Sequence, residues 1–397
     1  MREATPTRLQ APKIDTADPT KFTRQAQRNS AESPPMRMLP QPAPSGEILS
    51  IQYLRAVAAL MVVWHHAINQ VPGMLAWAPW QFGTSGVDLF FVISGFIMVV
   101  TTMRSSIRPV DFWRRRIVRV VPLYWSLTLL MVALALAMPS LFKTLKVAPL
   151  TLIESLLFVP HFSQSFPQFV WPLLVPGWTL NFEMFFYALF GATLVLPRRR
   201  GRVALTVVLA GLVGMGAVLG PFDSAAAQTY THPMLLEFLA GVWIGTLWSE
   251  GRLSIRGFWV VPMLVAGTAL LVLRDQPPLG PLTQLAGASL LVVAALQQGC
   301  SAWRSRILLG IGNSSYSLYL THIFTLGVLR VVWVRFAPSS PHGIETTMFL
   351  VGALGSCALV GWLVFRWIET PLMQSLRRLT AWRDATRPAS TEAPKEP

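Results

Sequence analysis

The chain has 397 residues, of which 53% are hydrophobic and only 13% are charged, and its formal net charge is +15. This composition excludes an ordinary soluble domain and is typical of a polytopic membrane protein. The basic residues lie between hydrophobic segments and form no stripe on a soluble domain, so they indicate a topology signal and argue against nucleic-acid binding.

The N-terminal 48 residues are rich in Pro, Gln, Ser and Thr, and we expect them to form a disordered cytoplasmic tail. No apolar segment follows the N-terminal charges, so no cleavable signal peptide is expected and the first hydrophobic segment should itself direct insertion. Residues 49–371 are predicted to form one transmembrane domain, and residues 372–397 a basic cytoplasmic tail.

The hydrophobic segments predict the fold class, because a helix needs about 20 apolar residues to cross a bilayer. This criterion predicts an all-α, polytopic membrane helix bundle of about ten transmembrane helices. They span residues 51–71, 84–103, 120–140, 175–196, 203–221, 232–249, 257–273, 280–298, 309–331 and 346–367. Residues 147–162, in the longest outer loop, are moderately apolar, and we expect them to lie at the interface or re-enter the membrane without crossing it.

The placement of lysine and arginine sets the predicted orientation. With the N-terminus in the cytoplasm, 27 of the 33 lysines and arginines fall in cytoplasmic segments. This is the asymmetry that the positive-inside rule describes. Both termini are then predicted to be cytoplasmic.

Ionisable side chains inside the predicted spans mark the candidate functional site. A charge in hydrocarbon costs at least about 2.5 kcal/mol, so such residues normally face a bundle interior, pair with one another and carry function. The residues that meet this description are Arg55, His65, His66, Asp88, Glu183, Glu237 and His322.

The first span carries a cation and an imidazole on one stripe. Arg55 and His66 are eleven residues apart, so they point within about 20° of each other and lie roughly 16 Å apart along the helix. His65 points about 80° away from Arg55 by the same geometry, which favours His66 as the catalytic residue. The alternative is that Arg55 reaches the inner headgroups and that the two histidines merely bond within a polar interior.

Two carboxylates lie at depths from which they could assist His66. Asp88 lies about one turn below the outer surface, where an ionised carboxylate would fix the tautomer of an imidazole. Glu183 lies roughly two turns inside the fourth span and must face a cavity or be protonated. Either residue could instead tie two helices together, and we interpret Glu237 as such a structural partner.

Two further groups complete the candidate site. Arg116 and Arg119 belong to an aromatic-rich basic run at the inner face, which suits phosphate binding. Orientation and anionic-lipid binding alone would produce a similar run. His322 lies in an unusually polar ninth span, where the hydroxyls of Ser317 and Thr321 either line a polar track or bond back to their own helix.

These motifs, in this order, resemble the integral-membrane acyltransferase family 3. The matching stretches are LRAVAALMVVWHHA with Arg55 and His66, GVDLFFVISGFI with Asp88, Arg-x-x-Arg at Arg116 and Arg119, WTLNFEMFFY with Glu183, SYSLYLTH with His322, and Glu-Thr-Pro at Glu369. They run from about residue 50 to residue 371. The opening IQYLRAVAAL is most similar to the branch associated with exopolysaccharide production.

The resemblance implies an enzyme of the bacterial inner membrane that moves an acyl group, usually acetyl from acetyl-CoA, to a hydroxyl of an extracytoplasmic or lipid-linked polysaccharide. Acyl-CoA is then a co-substrate, and no tightly bound cofactor or metal is expected. The expected partners are acyl-CoA, the polysaccharide or lipid-linked oligosaccharide acceptor, membrane lipids and the polysaccharide biosynthesis or export machinery.

The vertical order of these residues, with the cations nearer the inner face and the imidazole and carboxylates further out, motivates a hypothesis about their roles. Arg116, Arg119 and Arg55 would bind the phosphates of acyl-CoA. His66 would act as general base with Asp88 or Glu183 orienting it, or accept the acyl group itself, while the ninth span, which carries His322, would supply a polar group for the tetrahedral oxyanion.

Other functions stay open at this point. A different donor such as succinyl-CoA would fit the same pattern. A polysaccharide or lipid-linked sugar transporter would use the polar ninth span as a permeation track, and a non-catalytic synthase subunit would need none of these residues for acylation.

Overall fold

The computed structural model describes residues 48–71, 73–74, 82–103, 107–140, 142, 144–273, 280–297, 304–336 and 343–385. All of them belong to the second of two units into which the chain divides, residues 43–397. The predicted N-terminal tail, up to residue 47, and the end of the predicted C-terminal tail lie outside the described residues. Within the described residues the regular structure is helical, with no β-strand, as predicted.

Fourteen α-helices are defined within this part of the chain. They are α1 (Leu49–Ile68), α2 (Ser85–Met103), α3 (Pro109–Ala137), α4 (Pro149–Leu156), α5 (Trp178–Thr193), α6 (Arg198–Leu219), α7 (Ala225–Tyr230), α8 (Leu235–Ser249), α9 (Val260–Val272), α10 (Gly280–Ala295), α11 (Arg306–Asn313), α12 (Ser315–Phe336), α13 (Gly343–Val364) and α14 (Thr370–Ala385). A π-helical segment, Phe365–Glu369, joins α13 to α14.

Six of the described helical segments are long and apolar enough to cross a membrane. They are α1, α2, α3, α6, α12 and the segment Gly343–Leu379, which runs from α13 into α14. The other four predicted crossings coincide with α5, α8, α9 and α10, which have 13 to 16 residues. The all-α polytopic bundle is therefore confirmed, while the count of ten crossings stays a prediction.

Three predicted helix boundaries are wrong. Helix α3 begins at Pro109, not at residue 120, because an apolarity criterion cannot detect a helix whose first turns are charged. The ninth predicted span is two helices that meet at Ser314. The tenth does not end near residue 367, because the π-helical segment continues it into α14.

Helix α4 covers one side of the bundle and does not cross it. Its eight residues span only about 12 Å, far less than a bilayer. The hydroxyl of Tyr124 donates to the Ser155 carbonyl at 3.1 Å, and the indole of Trp125 donates to the Leu156 carbonyl at 2.8 Å. These bonds tie α4 to α3, and the short helix agrees with the prediction that residues 147–162 do not form a crossing.

Helices α2 and α8 run parallel with their backbones in contact. A methyl group at Gly95 would overlap the carbonyl oxygen of Phe238, and one at Gly245 would lie 2.9 Å from the carbonyl oxygen of Phe96. The ring of Phe91 also stacks on that of Phe238, with centroids 4.4 Å apart. Small residues allow such close approach, which stabilises helix pairs in membranes through van der Waals packing.

We predict that Gly95→Ala destabilises the protein, because the new methyl group must push α8 away from α2. Overpacking of this kind costs about 1–3 kcal/mol. Gly211→Ala is the matched control, since a methyl group there meets no atom within 4 Å. Thermal unfolding of both variants in detergent measures the effect, and equal melting temperatures would contradict the close contact.

Candidate active site

A cavity of about 160 Å³ lies between five helices of the bundle. Its walls come from α1, α2, α3, α5 and α12, and we call it the upper cavity. The polar side chains that line it are Arg55, Ser94, Arg116, Arg119, Thr179, Glu183, Tyr187, Ser315, Tyr316 and Tyr319. Four of the residues predicted from the sequence, three arginines and Glu183, are thus brought together.

The three arginines line the cavity in different ways. Arg55 donates to the side-chain oxygen of Gln52 at 3.3 Å, one turn earlier on α1. The guanidinium of Arg116 lies over the rings of Phe112 and Tyr187, at 5.6 and 5.8 Å from their centroids. Aromatic faces attract such a cation and hold it in place while its N–H groups stay available.

Arg119 is paired with a carboxylate from the far end of the chain. Its guanidinium forms an ion pair with Glu369, which is 1% exposed, and Ser317 donates to the other carboxylate oxygen at 2.5 Å. Glu369 lies in the π-helical segment between α13 and α14. Such segments often mark functional positions within helices. Its ion pair with Arg119 was not predicted, because 250 residues separate the partners.

Glu183 accepts two hydrogen bonds inside the cavity. The hydroxyls of Tyr187, one turn further along α5, and of Ser94 on α2 donate to it, the latter at 3.2 Å. Both hydroxyls donate to the same carboxylate oxygen, Oε1, and connect α5 to α2 through it. The prediction that Glu183 faces a cavity is therefore met by its position.

His66 and His322 lie side by side within the bundle. Their ring centroids are 4.8 Å apart, and His65 packs edge-on against His66 at 5.2 Å. His66 is partly buried, whereas His322 is completely buried. The sequence places these two residues in spans one and nine, and their proximity was not predicted.

Backbone carbonyls fix the tautomer of both rings. Nδ1 of His66 lies 2.9 Å from the Val62 carbonyl oxygen, and Nδ1 of His322 lies 2.6 Å from that of Tyr319. A carbonyl oxygen only accepts hydrogen bonds, so each Nδ1 carries the proton and each neutral ring keeps a lone pair on Nε2. Nε2 of His322 has no hydrogen-bond partner among the described residues.

Asp88 lies in the first turn of α2, at the depth expected, but it does not bond Nδ1 of His66. It is fully buried in the first turn of α2 and is not among the residues that line the upper cavity. The Val62 carbonyl, and neither Asp88 nor Glu183, accepts the hydrogen bond of His66 Nδ1. The backbone therefore does the orienting that the sequence analysis assigned to a carboxylate.

Tyr319 lies between the upper cavity and the histidine pair. It lines the cavity, its ring centroid is 5.9 Å from that of His322, and its hydroxyl lies 3.0 Å from the Thr179 hydroxyl and 3.1 Å from the Pro176 carbonyl. Neither histidine is among the cavity-lining residues. Arg55 and His66 thus both point into the bundle, with Tyr319 at the boundary between their surroundings.

The other hydroxyls of α12 bond mainly within the helix. Thr321 donates to the Ser317 carbonyl at 2.7 Å, and Thr325 donates to the Thr321 carbonyl at 3.4 Å. Of the two alternatives for this span, back-bonding describes these threonines, while the side chain of Ser317 bonds Glu369. In the part of the chain that the structure describes, no three His, Cys, Asp or Glu side chains are grouped to hold a metal ion.

Comparison with known proteins identifies the class of enzyme to which this bundle belongs. The sequence profile of the acyltransferase domain of family 3 matches residues 48–366. The chain therefore belongs to the acyltransferase 3 family and is a multi-pass membrane acyltransferase, as the motifs predicted.

Individual relatives identify the branch. The exopolysaccharide production protein ExoZ of Rhizobium meliloti is 40% identical over 319 residues, which cover 75% of this chain and 93% of that protein. The peptidoglycan O-acetyltransferase OatA of Listeria monocytogenes is 26% identical over 363 residues, 82% of this chain but only 56% of OatA. The acyltransferase MdmB of Streptomyces mycarofaciens is 26% identical over 350 residues, 79% of this chain and 87% of MdmB. The chain is thus a member of the exopolysaccharide branch, and no solved structure matches it.

We predict that Arg119→Gln and Glu369→Gln each destabilise the protein, because each leaves a charge without its partner inside the bundle. Breaking a buried pair from one side costs about 3–5 kcal/mol, and the double variant should lose much less than the sum of the two. Thermal unfolding of the four proteins in detergent gives the coupling energy.

The matched control is the ion pair between Arg108 and Asp111, 2.9 Å apart, whose side chains are 77% and 30% exposed. Arg108→Gln and Asp111→Asn should change stability by at most about 1 kcal/mol. Additive effects of the Arg119 and Glu369 substitutions would show that the two side chains do not act as a pair.

Proposed function

We propose that this acyltransferase moves an acyl group, most simply acetyl, from cytoplasmic acyl-CoA to a hydroxyl of an extracytoplasmic or lipid-linked polysaccharide. The observation that carries the proposal is that three arginines line one cavity together with Tyr319, whose ring centroid is 5.9 Å from that of His322 in the histidine pair. The relatives support the acceptor class: one is an exopolysaccharide production protein and another a peptidoglycan O-acetyltransferase.

The donor side of the proposal rests on charge. Arg55, Arg116 and Arg119 bring three cations to the upper cavity, against the carboxylates of Glu183 and Glu369. Guanidinium groups bind phosphates through paired hydrogen bonds, so the diphosphate of acyl-CoA is a fitting ligand. Because the Arg119 guanidinium already forms an ion pair with Glu369, Arg116 and Arg55 have more N–H groups available to bind a phosphate.

The orientation of the protein in the membrane follows from the placement of its basic residues. The end of the bundle where α3 begins carries Arg114, Arg115 and Arg116, and the first turns of α6 carry a second basic run. By the positive-inside rule this end faces the cytoplasm, where acyl-CoA is made, and the membrane is the bacterial inner membrane. Acceptor and donor then approach the histidine pair from opposite sides.

His66 serves as the general base in this scheme. Its Nε2 removes the proton from the acceptor hydroxyl while the hydroxyl oxygen attacks the thioester carbonyl carbon. The new C–O bond forms, the C–S bond breaks, and the imidazolium returns the proton to the departing thiolate, leaving an ester and free CoA. Tyr319 would exchange its bond to the Pro176 carbonyl for one to the carbonyl oxygen of the thioester as negative charge develops there.

His322 supports His66 by packing against its ring. The bond between Nδ1 of His322 and the Tyr319 carbonyl holds the His322 ring in one orientation beside the base. Asp88 does not line the upper cavity and has a structural role in this scheme. Glu183 offsets part of the positive charge of the arginines that line the cavity with it.

We predict that His66→Gln lowers acyl transfer at least about 100-fold, the contribution of a positioned general base. His65→Gln is the matched control, because His65 is the neighbouring imidazole on the same helix and should retain most of the activity. The assay is transfer of radiolabel from acetyl-CoA to polysaccharide in membrane vesicles, with equal protein levels verified by immunoblot.

The same assay tests the proposal as a whole. Wild-type vesicles that export polymer without label from any acyl-CoA would contradict it, and full activity of the His66→Gln protein would remove the assigned base. NMR of surface polysaccharide from deletion and complemented strains provides the cellular counterpart, since the O-acetyl signals should vanish and return.

A further inference from the structure

A second cavity, of about 380 Å³, lies at the basic end of the bundle. We call it the lower cavity; the ends of α2 and α5 and the start of α6 form its walls. Its lining consists of Val99, Thr102, Met103, Ile107, Phe190, Thr193, Leu194, Leu196, Pro197, Arg198, Gly201, Arg202 and Leu205. No role described above uses it.

Two helices, α2 and α5, line both cavities. On α2, Met98 lines the upper cavity and the next residue, Val99, lines the lower one. On α5, Tyr187 lines the upper cavity and Phe190, three residues later, lines the lower one, a rise of only about 4.5 Å along the helix. A ligand longer than either cavity could therefore lie along the seam between α2 and α5 and occupy both.

Two arginines give the lower cavity its charge. Arg198 is exposed, and Arg202 is largely buried, with 18% of its side chain accessible. One terminal nitrogen of Arg202 lies 3.3 Å from a Glu250 carboxylate oxygen and the other 3.7 Å from the Met103 sulfur. Its Nε has no hydrogen-bond partner among the described residues. Because a guanidinium has five N–H donors, Arg202 retains capacity for an anion.

Apart from Thr102 and Thr193, the rest of the lining is apolar and suits a flat ring. Met103, Ile107, Phe190 and Leu194 surround the space beside the arginines. An aromatic base packs well against such side chains, and a phosphate on the same molecule can reach the arginines. The chemistry that fits is a nucleoside carrying a phosphate on its sugar.

We propose that the lower cavity binds the adenosine end of acyl-CoA, with the 3′-phosphate on Arg198 and Arg202. This inference rests on the proposed donor and adds a second binding element to it. The diphosphate then lies at the arginines of the upper cavity, and the pantetheine arm carries the thioester toward Tyr319 and the histidine pair. Acyl-CoA is then bound through both its 3′-phosphate and its diphosphate, so its thioester is held at one position relative to Tyr319 and the histidine pair.

The first experiment measures binding without any transfer reaction. Adenosine 3′,5′-bisphosphate, titrated onto the purified full-length protein in detergent, should bind the wild type. Arg202→Gln and Arg198→Gln should each weaken this binding at least about tenfold, the loss expected for one charge-assisted hydrogen bond. Arg199→Gln and Arg200→Gln are matched controls, because both arginines are exposed neighbours that do not line the cavity.

The second experiment compares acetyl-CoA with acetyl-dephospho-CoA, which lacks only the 3′-phosphate. The wild type should show a lower KM for acetyl-CoA, and Arg202→Gln and Arg198→Gln should abolish that preference while leaving kcat nearly unchanged. Arg198→Gln keeps the test decisive if Arg202→Gln unfolds, since Arg198 is exposed.

The outcomes separate this inference from the proposed function. Transfer from acetyl-CoA with no preference for the 3′-phosphate, or with an undiminished preference in the Arg198 and Arg202 variants, would overturn the adenosine site alone. Bisphosphate binding without transfer from any acyl-CoA would overturn the proposed donor and leave the site standing. Equal loss of activity with both donors, restored by added anionic phospholipid, would show that a lipid occupies the cavity and would also overturn the proposal.

Discussion

The ion pair between Arg119 and Glu369 is the interaction on which the centre of this bundle depends. A guanidinium and a carboxylate are each expensive in hydrocarbon, and each is tolerated here because the other neutralises it. The pair connects α3 to the segment after α13, and Ser317 adds α12 through the second carboxylate oxygen. Three elements distant in sequence are thereby fixed around one cavity.

That arrangement sets the charge balance available to a substrate. Arg119 is paired with Glu369, and Glu183 accepts from Tyr187 and Ser94. Among the described residues, no carboxylate forms an ion pair with Arg55 or Arg116, the other two cations of the upper cavity. In the proposed function, an anionic ligand would supply negative charge to these cations. The anionic part of the substrate and the proton-transfer step would then occupy separate surroundings, because Tyr319 lines the cavity and neither histidine does.

The sequence predicts much of this arrangement where the reasoning is local. The spacing of Arg55 and His66 places both side chains inside the bundle, and the cost of a charge in lipid correctly turns Glu183 toward a cavity. Helical periodicity carries this information because it acts within one segment. The family resemblance adds an order of motifs that no single segment provides.

The remaining features depend on contacts between segments far apart in the chain. Neither the partner of Arg119 nor the proximity of His66 and His322 can be read from helical spacing, because periodicity does not specify which helices become neighbours. The early start of α3 at Pro109 was missed for a different reason. Apolarity defines where a helix enters hydrocarbon, and the charged first turns of α3 extend beyond that limit.

The position of Glu369 has a consequence for where this enzyme ends. The family profile stops matching at residue 366, within the π-helical segment and three residues short of the carboxylate. A protein shortened to the matched region would keep every residue that lines the upper cavity, but Arg119 would lose Glu369, its ion-pair partner. The region that the family profile matches therefore ends before a residue on which the buried ion pair of the domain depends.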